Sequence, residues 1–301
     1  MDDLQILWVG ADGTTWDLLD PFSPVRATAI GGLGLPEFEQ QWSTSGAFDG
    51  KRYEGTTWNE NAVQLQVVVG DAYIPAGFTS RRRGQQWRDL DRAFRRSVSA
   101  EVPGQLAVIS AVGRRELEVR LAEPLAPPPA RNPALIGAAT YDLQLVAGDE
   151  PWWVGEEVSA EFEWGASSED PFFGGPTGQS LLWISKRSET NTASIANPGD
   201  RPVLARWWAG GPFEGLTFGV GQETATLPFG LEQEETVRVD SLTQTIVDGS
   251  GVSLWPRMGF VDPTFAAIPP GESVPLVVEI AGAERGALIG LAFRPLYESP
   301  W

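Results

Sequence analysis

Carboxylates are the one conventional acid–base pair this sequence could build. Its 301 residues include no histidine and no cysteine. That removes Ser-His-Asp triads, Cys-His pairs, HExxH zinc sites, disulfides and thiolate chemistry. Glu161 and Glu163 alternate on a candidate strand and so share a face, with Trp164 next to them. A glycosidase uses two carboxylates roughly 5–10 Å apart beside aromatic surface, and hydrolysis of a polysaccharide is the chemistry such a pair would do. In a chain with 40 acidic residues the same pair is at home on a solvated strand, and that reading is preferred. The glycines of Gly31-Gly32-x-Gly34 precede Pro36 rather than a helix, so they read as a turn and not as a phosphate cradle. No catalytic, cofactor-binding or metal-binding residue is assigned, no cofactor is expected, and the chain is not read as an enzyme.

The arginines offer binding rather than catalysis. Arg81, Arg82, Arg83, Arg88, Arg92, Arg95 and Arg96 crowd into one segment, opposed only by Asp89 and Asp91. In the same segment Trp87, Leu90, Phe94 and Val98 recur at helical spacing, which predicts an amphipathic helix over Ser80–Ser99. Thr79 or Ser80 would cap it and Pro103-Gly104 would end it. A basic island in a chain of net charge −18 has two readings. It is a solvated helix face laced with i,i+4 pairs, or a docking surface for an acidic patch on a neighbouring copy, since arginine forms bidentate pairs with carboxylates. The rest of the charge repels DNA and anionic lipid, so neither sequence-specific nucleic-acid binding nor membrane insertion is expected.

Thirteen tryptophans are more than two small β-domains readily bury, which puts several at interfaces. Trp152-Trp153, Trp207-Trp208 and Phe172-Phe173 are adjacent pairs, and on a strand one member of each would point outward. Interface packing is the preferred use, with Trp152 and Trp153 grouped with the arginines as assembly residues. Sugar stacking by Trp207 and Trp208 is the alternative, making the chain a carbohydrate-binding module for a cell-wall glycan.

The elements that must position these groups are mostly strands. Thirty-four glycines and 24 prolines punctuate a chain that is 42% hydrophobic, as suits an all-β protein with real cores. Strands are expected at Leu4–Val9 and Thr14–Leu19 about an Asp12-Gly13 hairpin, then at Arg52–Asn59 and Ala62–Gly70. After the helix, Gln105–Val112 and Glu116–Leu121 form a hairpin across Gly113-Arg114. Pro124 to Pro133 reads as a linker, and Ala138–Ala147 adds a strand to the first sheet. From Glu156 on the reading is nearly all β: Val158–Trp164, Leu181–Ile184, Val203–Ala209, Gly215–Val220, Glu223–Leu227, Glu235–Asp240, Thr245–Val247, Ser273–Ile280 and Ala287–Pro295. The expected domains are 1–155 and 156–301. Met1-Asp2-Asp3 opens neither a signal peptide nor a spanning helix, which predicts synthesis in the cytoplasm.

Several segments in order carry a family resemblance. They are WVGADGTTWDL (Trp8–Leu18), GLGLPEFEQQWSTSGAFDGKRYEG (Gly32–Gly55), the arginine helix with Trp87, and GQLAVISAVGRRELEVRLAE (Gly104–Glu123). TYDLQLVAGDEPWW (Thr140–Trp153), NPGDRPVLARWWAGGP (Asn197–Pro212), GLTFGVG (Gly215–Gly221) and IPPGESV (Ile268–Val274) follow. Together they resemble the distal tail (Dit) proteins of siphophages, of the actinobacteriophage minor tail protein type. The use of only two lysines, Lys51 and Lys186, fits a GC-rich genome of that kind. The resemblance implies an N-terminal split-barrel or β-sandwich-like domain that forms a ring, usually six-fold, followed by a galectin-like β-sandwich. It implies a location at the virion tail tip or baseplate. The expected partners are further copies of the chain, the tail-tube protein, the tail hub or tail-associated protein, the tape measure and other minor tail proteins. The ring would surround the DNA exit channel used in genome ejection. The resemblance carries no catalytic residues.

Overall fold

The structure, a computed structural model, describes residues 4–44, 46, 49–70, 80–125, 132–164, 181–184, 193–259 and 263–301, with backbone alone at 80–83 and 181–184. Contacts divide it into two compact units. One comprises Met1–Gly155 together with Tyr297–Trp301; the other is Glu156–Leu296. The last five residues, grouped with the second domain in the sequence reading, thus belong with the first unit.

The first unit contains β1 (Gln5–Val9), β2 (Thr15–Asp17), β3 (Val25–Gly31), β4 (Phe38–Ser43), β5 (Arg52–Trp58), β6 (Asn61–Gly70), α1 (Ser80–Ser97), β7 (Gly104–Ser110), β8 (Gly113–Leu121), α2 (Pro133–Ile136), β9 (Ala138–Ala147) and β10 (Trp153–Val154). Strand order is β2-β1-β7-β8-β9-β6-β3, with β10 attached to β8. The two ends of that order meet where the Ala27 N–H donates to the Leu18 carbonyl at 2.8 Å, so the sheet curls into a split barrel. Its core follows the period-2 rule. On β6, Val63, Leu65, Val67 and Val69 are buried while Gln64 and Gln66 face out, and on β9 Tyr141, Leu143 and Leu145 are buried opposite them. These two strands pair along their full length, from Asn61↔Ala147 to Gly70↔Ala138. Phe94 of α1 enters the same core, with Trp87 and Leu90 packed against it.

The β1–β2 hairpin forms as expected. Asp12 accepts the Thr14 N–H at 3.0 Å, and Gly13 takes φ 80°, a conformation that favours glycine. In the β7–β8 hairpin, Ser110 pairs with Gly113, so Ala111-Val112 make the turn rather than Gly113-Arg114. The helix ends at Ser97, before Pro103-Gly104. There the Ser97 hydroxyl donates to the Phe94 carbonyl at 2.7 Å and accepts the indole N–H groups of Trp8 at 3.3 Å and Trp16 at 3.2 Å. One fully buried serine thereby ties α1 to β1 and β2. Thr79 lies outside the described residues.

The second unit contains β11 (Val158–Trp164), β12 (Leu181–Ile184), β13 (Ser194–Ala196), β14 (Arg206–Gly210), β15 (Gly215–Val220), β16 (Glu223–Leu227), β17 (Thr236–Asp240), β18 (Thr245–Asp248), α3 (Trp255–Met258), β19 (Ser273–Ala281) and β20 (Leu288–Phe293). A six-stranded sheet, β12-β11-β20-β14-β17-β18, packs against a four-stranded sheet, β13-β19-β15-β16. Their inner faces share one core, in which Trp207 of the first sheet meets Phe218 of the second at 4.8 Å between ring centroids. This is a β-sandwich, and the chain as a whole is all-β as read from the sequence.

Where one amphipathic helix is expected, two further helices of a single turn appear. Neither is long enough to show a period. The first is nevertheless spelled out locally. Asn132 accepts the Ala134 N–H at 3.1 Å as N-cap, Pro133 follows, and Gly137 closes the turn at φ 84°. This one-turn helix begins at the end of the proline-rich segment read as a linker.

Candidate assembly surfaces

The arginine helix splits into two roles. Arg88, Arg92 and Arg96 recur every fourth residue, so they form one exposed stripe. Arg88 donates to Gln85 at 3.2 Å, and Arg92 lies 3.5 Å from Asp89, pairs within the helix that hold little in water. Arg95 points to its own chain. It pairs with Asp91 at 3.0 Å and donates to the Tyr141 hydroxyl of β9 at 3.2 Å, while that hydroxyl donates to Asp91. Burial and the Asp91 carboxylate push the Tyr141 phenol up to about 12, so it keeps its proton and the three-way link holds through neutral pH. Arg95 is therefore an anchor of α1, and Arg88, Arg92 and Arg96 are the part open to a partner. The side chains of Arg81, Arg82 and Arg83 lie outside the described residues.

The tryptophan pair of the first unit is not open. Trp153 is fully buried and donates its indole N–H to the Leu33 carbonyl at 3.0 Å. Trp152 is buried too, set edge-on to Trp58 at 5.1 Å. The inward–outward alternation expected of adjacent strand residues fails here because Trp152 precedes β10 and is covered by the end of β5. Neither ring offers surface to a partner, which corrects the assembly role expected of Trp152 and Trp153.

Next to this pair, Glu150 is half-buried and accepts the Trp152 backbone N–H; burial raises its pKa. A carboxyl whose folded pKa lies above its unfolded value costs stability as a carboxylate. The cost is absent below the ordinary glutamate pKa, grows as pH rises, and is complete above the raised folded value. Glu150→Gln, which keeps an acceptor for Trp152, is therefore expected to raise the melting temperature at pH 7. The gain should vanish near pH 4, as thermal melts at the two pH values would measure.

The open aromatic surface lies on β4 and β5. Among the described residues these strands pair only with each other, from Phe38↔Trp58 to Ser43↔Arg52, with a bulge at Gln41/Trp42. Phe38, Trp42 and Tyr53 are each about half exposed, at 48%, 49% and 51%. Rings stack up the hairpin: Trp152 on Trp58, Trp58 on Phe38 at 5.3 Å, and near the tip Trp42 on Tyr53 at 5.4 Å. The base is thus anchored in the first unit while the tip stands in solvent. A two-stranded hairpin alone is marginal in water, and exposed clustered aromatics mark contact surfaces. In the sequence this surface has no core period to mark it, because both faces of the strands are largely solvated.

In the second unit Trp207 is buried in the sandwich core and cannot reach a ligand, contrary to the sugar-stacking role expected of it. Trp208, one residue on, faces the opposite side and is half-buried, with its indole N–H on Glu161 at 3.1 Å. Glu161 thus serves as an acceptor for that ring rather than standing in an open carboxylate pair with Glu163. Phe172 and Phe173 lie outside the described residues. Among the described residues, no three acidic side chains are placed to hold a metal ion, and no helix is long and apolar enough to cross a membrane.

No protein-family model matches the sequence, and no curated protein matches it. Among solved structures, the chain is similar to the Dit (gp 19.1) protein of SPP1, a paradigm of hub adsorption apparatus in phages that infect Gram-positive hosts. The TM-score is 0.61 at 11% identity, over 97% of this chain and 98% of that one. The two chains share a fold. A chain of the phage P2 baseplate in its activated conformation with Ca is matched at a TM-score of 0.48 and 11% identity, covering 96% of this chain and 97% of that one. The corresponding P2 baseplate structure with Sr is matched at 0.47 and 11% identity, covering 96% and 98%.

Proposed function

We propose that this chain is a structural component of a siphophage tail tip, a distal tail protein of the actinobacteriophage type. It assembles with itself into a ring, a homohexamer, that joins the tail tube to the tail hub and surrounds the DNA exit channel. The observation that carries the reading is the end-to-end fold likeness to the SPP1 Dit protein, across 97% of this chain. Two surfaces of the first unit support self-assembly. The β4–β5 hairpin offers Phe38, Trp42 and Tyr53 as apolar anchors of the kind that dominate interfaces. The Arg88, Arg92 and Arg96 stripe complements a neighbouring copy, because a chain of net charge −18 presents acids almost everywhere else. The other neighbours are the tail-tube protein on one side of the ring and the tail hub on the other, with the tape measure and further minor tail proteins nearby. The mass of the purified protein, alone and with its tail hub, tests the reading.

A further inference from the structure

The outer face of the six-stranded sheet in the second unit carries a feature that the two surfaces of the first unit do not include. Trp208, Gly290 and Glu161 lie in one row across β14, β20 and β11, paired as Trp208↔Gly290 and Glu161↔Gly290. Only glycine fits the middle of that row, because a Cβ at 290 would come within 2.2 Å of Trp208 Cζ2 and 2.7 Å of its Nε1. The missing side chain lets the indole lie across the sheet, and the hydrogen bond to Glu161 at 3.1 Å fixes its position. The ring is thus seated rather than loose, and it helps line an open cleft of about 640 Å³.

The rim of that cleft is polar and mixed in sign. Arg206 and Glu157 are paired at 2.9 Å and both remain about half exposed, at 56% and 50%. Arg238, opposite Trp208 on β17, is exposed and donates to the Gly249 carbonyl at 3.3 Å. A guanidinium beside a carboxylate presents donors and acceptors side by side. Vicinal hydroxyls need that combination, since each can donate to the carboxylate and accept from the guanidinium. A fixed aromatic ring next to it suits the C–H face of a sugar. Apolar surface with a few convergent polar groups is the general form of a small-molecule site.

We propose that this cleft binds a neutral pyranose residue of a glycan, stacked on Trp208 and held through vicinal hydroxyls by Arg206 and Glu157, with Arg238 closing the other side. Trp207 borders the cleft, but its ring lies in the sandwich core and does not stack on the sugar. The site uses residues of the second unit only, so it stands or falls independently of the tail-tip reading.

The test is an array of neutral oligosaccharides with glucose, galactose, mannose and rhamnose ends, probed with the full chain, then calorimetric titration of the oligosaccharide that binds best. Trp208→Ala should abolish binding. Arg206→Ala alters only an exposed rim residue and should keep the fold by circular dichroism while weakening binding at least tenfold. Trp255→Ala, which changes an exposed tryptophan on α3 outside the cleft, should leave affinity unchanged. Silence across the array overturns the proposal. So does binding that survives both cleft variants, or that Trp255→Ala removes as readily as they do.

Discussion

Replacing both Trp42 and Tyr53 with aspartate is expected to convert assembled protein into single copies without unfolding the first unit. The two rings lean on each other at 5.4 Å near the tip of a hairpin that pairs with no third strand among the described residues. Anchor aromatics of an interface typically cost about 2 kcal/mol or more each when removed. Losing two therefore weakens each contact by about 4 kcal/mol, roughly a thousandfold in dissociation constant. Aspartate adds a charge with no partner in an already acidic chain, which pushes in the same direction. The hairpin base is untouched, since Trp58 still rests on Trp152 and Trp152 stays buried. Size-exclusion chromatography with light scattering should show the mass falling to that of one chain, while circular dichroism and the melting temperature stay close to the parent. Assembly that persists at the same concentration would remove the hairpin from the interface.

The second large effect is on stability. Trp153→Ala empties the space of a side chain with no solvent exposure and leaves the Leu33 carbonyl without its indole donor at 3.0 Å. Truncating a buried tryptophan costs about 3–5 kcal/mol, and losing its part-buried hydrogen bond adds about 0.5–1.5 kcal/mol. A domain is stable by only about 5–15 kcal/mol in total, so the first unit should melt at least about 10 °C lower. Trp153→Phe fills most of the volume and loses only the hydrogen bond, so its loss should be under half as large. Calorimetry resolves the two cases. Equal, small shifts in both would mean that the ring is not part of this core.

The sequence declares its strands wherever one face is buried and the other wet. In β6 the alternation of valine and leucine with glutamine predicts an element within one residue of its observed span, and β9, β15 and β16 are readable for the same reason. The rule fails where burial is not one-sided. β4 and β5 are largely solvated on both faces, so the sequence predicts a strand at Arg52–Asn59 but neither β4 nor its pairing with β5. β3 was missed because its register shifts between Ala27 and Ala29, which breaks the alternation. The arginine helix was visible from its spacing, but its division into an anchor and an open stripe depends on Tyr141, which is 46 residues from Arg95 along the chain. Likewise Trp208 drew notice as a tryptophan, whereas its seat on Gly290 exists only once the register of β14 and β20 is known. Ser97, which accepts from two indoles far away in sequence, has no local signature at all.

Cryo-electron microscopy of the purified protein, alone and mixed with the tail-hub protein of the same phage, tests the proposed tail-tip ring most directly. The expected result is a closed ring of about six copies, matching a light-scattering mass of roughly six times the 32.6 kDa chain, with the β4–β5 hairpins and the Arg88–Arg92–Arg96 stripes in the seams between copies. Single copies in both samples, at every concentration imaged, would contradict it.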